Sequence, residues 1–293
     1  MEHMKTLPLM LLLALPCMAA ENAQPAPAAQ APAVNLMAMN QDARCRQVIV
    51  TCLVNGAPMR MMLDTGATHT VLHEESAARV PQALWIDTSS MLFRGNSTQQ
   101  PKLLIAALHA GPAESDQHPI MVMNLGAVRS MMAEPIDGII GMDILGQVPF
   151  TFDLARNELY WGVPSGRELV PLYAEPDGTG RVVVQGKCGG KVTQMLLDTG
   201  SSVTRIAAEQ WAPGAGAAVG AQMGNVDKAQ SIQVVEGKSG DLELGPGVVV
   251  PGFVPVLCDA KDHPMLGMDA LQGLTLVHVP SEDSPHGLFL LAK

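Results

Sequence analysis

The sequence predicts an all-β protein with few short helices, folded as two similar lobes related by a pseudo-twofold axis. Glycine (28) and proline (22) together make up about one residue in six of the 293, which favours short strands joined by turns over long helices. The second observation is a repeat. Met61-Met62-Leu63-Asp64-Thr65-Gly66-Ala67-Thr68 returns as Met195-Leu196-Leu197-Asp198-Thr199-Gly200-Ser201-Ser202, at an offset of 198 − 64 = 134. Third, Gly138-Ile139-Ile140-Gly141-Met142-Asp143-Ile144-Leu145 returns as Pro264-Met265-Leu266-Gly267-Met268-Asp269-Ala270-Leu271, at an offset of 269 − 143 = 126. Two repeats in the same order mark a duplicated unit, and the difference in offset is loop shortening in the second copy.

In chain order, residues 1–20 read as a signal peptide. A lone Lys5 precedes an apolar run from Leu7 to Leu15 and the small-residue exit Cys17-Met18-Ala19-Ala20. The run is too short for a membrane span, and no other stretch approaches the roughly 18 apolar residues one needs. Pro16 speaks against Cys17 as a lipid-anchor site. The Pro/Ala-rich stretch 21–33 cannot bury a face and reads as a linker. The lobes follow at 34–163 and 167–293, joined near Gly162-Val163-Pro164-Ser165-Gly166.

Each lobe opens on a short strand, Val34 to Met39 matching Leu169 to Tyr173, and then a hairpin. In the first copy Val48 to Val54 turns at Asn55-Gly56 into Met59 to Leu63; in the second, Arg181 to Gln185 turns around Gly189-Gly190 into Val192 to Leu197. Asn-Gly and Gly-Gly supply the positive φ of tight hairpins, so Asp64 and Asp198 each end a second hairpin strand. Short helices are expected at Glu74 to Arg79 and Ile206 to Trp211. Asp143 and Asp269, each after a glycine, are expected to cap a turn of helix.

The charge balance is 18 − 28 = −10, which argues against a nucleic-acid partner. No His-Glu-x-x-His or Cys-x-x-Cys occurs and the eight histidines are scattered, so no metal site is expected. Gly214 to Gly220 only imitates a dinucleotide loop, its third glycine one place late. An export pathway would permit disulfides among Cys45, Cys52, Cys188 and Cys258. Cys188 with Cys258 is one plausible pair; four buried free thiols are the alternative.

Two Asp-Thr-Gly motifs in matched contexts need a reason why an acid should end an apolar strand. Brought together between the lobes, the carboxyls would face each other across the pseudo-twofold, and two such groups cannot both ionise. A pair sharing one proton suits hydrolysis by an activated water without metal or covalent intermediate. Gly66 and Gly200 would permit close approach of backbone to the carboxylates. The Thr65 and Thr199 hydroxyls could reach across to the opposite lobe.

The paired Asp-Thr-Gly motifs, each followed by an apolar-apolar-Gly element, resemble the pepsin and retropepsin superfamily of aspartic endopeptidases. The spacings from Asp to that glycine, 141 − 64 = 77 and 267 − 198 = 69, are closer to the short retroviral-type unit. Leu63 to Leu72 and Ile136 to Trp161 are similar to bacterial retropepsin-like proteins of the Asp-Thr-Gly-Ala type. The resemblance implies the two-lobed acid-protease fold, a catalytic dyad of Asp64 and Asp198, and an interlobe lock by Thr65 and Thr199. It makes Ile139-Ile140-Gly141 and Met265-Leu266-Gly267 the strands that brace the active-site loops. It further implies a polypeptide substrate and no cofactor; we expect a monomer, exported to the periplasm or secreted.

The copies differ where Ala67 faces Ser201. In pepsin-like members a hydroxyl there hydrogen-bonds the adjacent carboxylate, so the resemblance implies that Asp198 carries the charge. Retropepsin-like lobes cover the cleft with glycine-tipped hairpins. The candidates are Phe93-Arg94-Gly95-Asn96 and Gln222-Met223-Gly224-Asn225, without the pepsin flap tyrosine. His69, close behind the first motif, reads as a local contact.

Overall fold

The hairpins that carry the two aspartates form as their turn residues dictate. In the computed structural model, Val48–Val54 and Ala57–Leu63 pair antiparallel from Ile49↔Met62 to Val54↔Ala57. Asn55 and Gly56 between them take φ of 46° and 79°, the doubly positive turn that matches strand twist. Val182–Cys188 and Lys191–Leu197 repeat this around Gly189 (54°) and Gly190 (82°). The structure describes residues 35–37, 40–41, 46–88, 102–172, 174–176, 181–224, 229–281 and 284–292. Ala33–Lys293 make one unit.

Each lobe then threads a strand between two that the chain lays down in succession. Gly138–Ile140 runs parallel to Ala57–Leu63 and antiparallel to Val71–His73. Met265–Leu266 stands in the same way between Lys191–Leu197 and Arg205–Ala207. The connection that starts at each aspartate must therefore arch over the end of an inserted strand. Period-two alternation sorts the first lobe's side chains. Met59, Met61 and Leu63 enter the main core, whereas Met62, Ile49, Val71 and Ile139 form a second cluster against which Ala67 packs.

The lobes make sheets of eight and ten strands and share a third of six. Across the third sheet the order is Asn35–Met37, Glu158–Trp161, Phe150–Asp153, Thr275–Ser281, Ser284–Ala292, Leu169–Pro171. Each lobe supplies three adjacent strands. The seam pairs Phe150↔His278, Thr151↔Val277 and Phe152↔Leu276. Since 277 − 151 = 126, Thr151 faces its own counterpart in the repeat, and the pseudo-twofold axis passes between them.

Two helical expectations need correction. The first helix is shorter, Glu74–Ala77. The segment expected as helix from Ile206 begins as a strand, Arg205–Ala207, followed by a 3-10 turn at Ala208–Gln210. Ile206 is buried and pairs in parallel with Leu257; sheet pairing of a β-branched residue overrides the local pattern. An additional helix, Gly126–Met131, packs on the second lobe's hairpin of Ala215–Gly224 and Ala229–Gly237. Among the described residues no helix is long and apolar enough to cross a membrane.

Candidate active site

The two aspartate loops are built by the same bonds. Asp64 N donates to Ile140 O (3.0 Å) and Met142 N to Ala67 O (2.8 Å); Asp198 N donates to Leu266 O (3.0 Å) and Met268 N to Ser201 O (2.8 Å). Ile139, Ile140, Met265 and Leu266 thus lie on the strands that hold the loops. Gly141 and Gly267 sit where the arch crosses. A Cβ at Gly141 would stand 2.8 Å from the His69 carbonyl carbon, and one at Gly267 2.7 Å from that of Val203. Only glycine lets backbone pass so close.

Behind these contacts the loops are tied by Thr70 and Thr204. The Thr70 amide and hydroxyl donate to Asp143 (2.7 and 2.8 Å) and the hydroxyl accepts from Gly141 N (3.3 Å). Thr204 does the same with Asp269 (2.8 and 2.5 Å) and Gly267 N (2.9 Å). This corrects the capping role expected of Asp143 and Asp269. No side chain caps either following helix; their carboxylates point back to the loop. His118 Nε2 also meets Asp143 at 3.0 Å, a buried contact particular to the first lobe.

Thr65 and Thr199 interlock across the dyad. The Thr65 hydroxyl donates to Leu197 O (2.9 Å) and accepts from Thr199 N (3.1 Å); the Thr199 hydroxyl donates to Leu63 O (2.9 Å) and accepts from Thr65 N (3.1 Å). All four bonds are buried. Thr199→Val strands a buried carbonyl and a buried amide, so urea unfolding should show a loss of about 2–4 kcal/mol. Thr199→Ser, which keeps the hydroxyl, should lose well under half of that.

Gly66 and Gly200 bring the carboxyls together. A Cβ on Gly66 would lie 2.6 Å from Asp198 Cγ, and one on Gly200 2.5 Å from Asp64 Cγ. Each aspartate therefore rests on the glycine of the opposite lobe. Asp64 Oδ1 accepts from Gly66 N (2.8 Å) and Ala67 N (3.1 Å). Burial raises the pKa of both carboxyls. For Asp64 this is opposed by the Gly66 amide, a hydrogen bond from Asp198, and the Ala67 and Gly200 amides. For Asp198 the Asp64 charge and the bond it gives Asp64 add to burial and hold it well above the ordinary 3.8. The two carboxyls therefore hold one proton between them.

The charge on Asp198 drawn from Ser201 lacks the hydrogen bond it was built on. The Ser201 hydroxyl donates to Val203 O (2.9 Å), and the Val203 amide bonds back to it at 3.4 Å; it is closed in a local turn, as serine side chains do. Ser201→Ala should therefore leave the acidic limb of a pH–rate profile where it is. A displaced limb would restore the hydroxyl to the dyad.

Gln47 was not anticipated. Its Nε2 donates to Gly200 O (2.9 Å), and continuing the hairpin register sets it beside Asp64, since 47 + 64 equals 49 + 62. Gly95, Asn96 and Asn225 lie outside the described residues. Gly224 ends the strand Ala215–Gly224 and pairs with Ala229. His69 makes the local contact expected, 2.8 Å from the Thr68 hydroxyl. The pairing of Cys188 with Cys258 does not form. Both thiols are free, on strands with three others between them, beyond disulfide reach.

Comparison with known proteins bears on the first lobe. A family model described as aspartyl protease matches residues 50–144. The chain is similar to the crystal structure of a retropepsin-like aspartic protease from Rickettsia conorii, at 20% identity and a TM-score of 0.32, over 44% of this chain and 90% of that one. No curated protein matches. The matched segment contains the Asp64-Thr65-Gly66 loop, so the likeness to aspartyl proteases lies in the first lobe.

Proposed function

We propose that the chain is an aspartic endopeptidase that hydrolyses extended polypeptides with Asp64 and Asp198 as its catalytic pair. The observation that carries this is the contact of each carboxyl with the opposite lobe's glycine, which forces the two acids to share a proton. Ionised Asp64 takes a proton from a water as its oxygen attacks the scissile carbonyl carbon, and Asp198 gives its proton to the carbonyl oxygen. The result is a neutral gem-diol. Asp64 then delivers its proton to the amide nitrogen, Asp198 takes one back from a diol hydroxyl, and the C–N bond breaks. The pair returns to its starting protonation, with one water consumed.

Export is proposed on separate grounds, the leader-like residues 1–20. The test of activity is incubation of the chain lacking residues 1–20 with a diverse peptide mixture across pH, read by mass spectrometry, beside Asp64→Asn and Asp198→Asn. Cleavage by the parent alone supports the reading. Cleavage that survives either substitution removes the dyad, and binding without cleavage by the parent makes the chain a peptide-binding module.

A further inference from the structure

Gln47 stands in the first lobe and reaches the aspartate loop of the second. Its side chain is buried, at 7% exposure, and its Nε2 donates to Gly200 O at 2.9 Å. The same glycine rests against Asp64, since a Cβ there would lie 2.5 Å from Asp64 Cγ. Gln47 and Asp64, opposite each other in the register of one hairpin, therefore grip a single residue of the other lobe.

The glutamine is held there at a cost. Its Oε1 is buried without a donor, and turning the amide round would set that oxygen against the Gly200 carbonyl, acceptor to acceptor. An orphaned buried acceptor is destabilising, and methionine would fill similar space without one. Packing alone gives no reason for an amide at this place.

What the bond does follows from the peptide on which it lands. Gly200 O and Ser201 N belong to one planar group. Ser201 N donates to Asp198 O at 3.2 Å and to the Asp198 carboxyl, where it and the Gly200 amide oppose the effect of burial. Fixing the carbonyl end of the plane fixes its N–H end, and a hydrogen bond at one end strengthens that at the other. Of charged groups, Asp64 acts on Asp198 directly, and Arg181 lies opposite it in hairpin register, since 181 + 198 equals 183 + 196. Arg181 is also the repeat counterpart of Gln47, as 181 − 47 = 134. The neutral amide thus belongs to one lobe only.

The structure assigns Gln47 as a positioning residue of the aspartate pair: by holding the Gly200–Ser201 peptide it keeps that peptide's N–H on Asp198 and favours the singly ionised pair over the doubly protonated one. This rests on the peptidase reading above and adds to it the group that helps set the pH at which the pair becomes active.

The test compares pH profiles of kcat/KM for the parent, Gln47→Met and Gln47→Lys, on a peptide that the parent cleaves. Methionine has no donor, so the acidic limb should move up by about half a pH unit or more as the carboxylate's own donor weakens. Lysine brings a positive charge to the same place, and the limb should move down. Loss of packing alone would lower the rate without shifting the limb. Thermal melts establish that each variant is folded; should one not fold, the direction of the limb in the other decides. An unmoved limb in folded Gln47→Met overturns the inference. The aspartate carboxyl carbons are also titrated by NMR without substrate. A titration displaced in Gln47→Met, with no peptide cleaved by the parent, would sink the peptidase reading alone; cleavage by the parent, with limb and titration unmoved in Gln47→Met, would sink the role of Gln47 alone.

Discussion

Asp64→Asn and Asp198→Asn should each lower kcat for peptide hydrolysis by about 10³-fold or more, since each removes a proton carrier that the other cannot replace. The double variant should be scarcely worse than either single one, because the two act as a unit. Stability should move the other way. A carboxyl whose folded pKa lies above its unfolded value binds its proton more tightly when folded. Its contribution is complete below the unfolded value and is lost as pH rises through the folded one. Both carboxyls are raised above 3.8, Asp198 more strongly. The parent therefore loses stability as pH climbs from about 4 toward neutrality, and asparagine does not. Thermal melts should find Asp198→Asn at least as stable as the parent at pH 7, with the gap closing as pH falls to about 4. A variant less stable at pH 7 would mean that Asp198 is held as the anion.

The second large effect is expected of Gly200→Ala. Its Cβ would press to 2.5 Å on Asp64 Cγ and 2.7 Å on Oδ1. Neither side can yield cheaply. Asp64 is held by two amides of its own loop, and Gly200 follows Thr199 in the buried interlock and accepts the Gln47 amide. Overpacking of this kind costs about 1–3 kcal/mol, and a carboxyl displaced by about 1 Å forfeits on the order of 10²-fold in rate. Gly66→Ala, with its Cβ 2.6 Å from Asp198 Cγ, should behave alike. Melts together with kcat measured well below the transition separate the two losses. Full activity in either variant would show that the carboxyls stand farther apart in solution.

What could be read from the sequence was local chemistry or its repetition. Asn55-Gly56 and Gly189-Gly190 announce their turns because few other residues tolerate positive φ, and the aspartates stand out because the whole octapeptide recurs. What escaped depends on partners that only the fold supplies. His118 reaches Asp143 and Gln47 reaches Gly200 through strands whose order the sequence does not state. The contact expected of Ser201 was not legible because residue identity does not fix a rotamer, and its hydroxyl closes on the Val203 carbonyl. The proposed disulfide treated Cys188 and Cys258 as neighbours in one lobe, but the inserted strand Met265–Leu266 and its flanking strands separate them.

The seam at Thr151 and Val277 has a further consequence. A strand pair centred on a twofold axis can join two separate molecules as readily as two parts of one. In this chain the halves are covalently joined through residues 162–168, between Trp161 and Leu169. A short tether gives each half an effective concentration of its partner of about millimolar, whatever the dilution. The two aspartates therefore stay together when the protein is scarce. Specific activity should be constant down to nanomolar enzyme, where a site assembled from separate chains would fall away; a decline on dilution would show that the functional unit is larger than one chain.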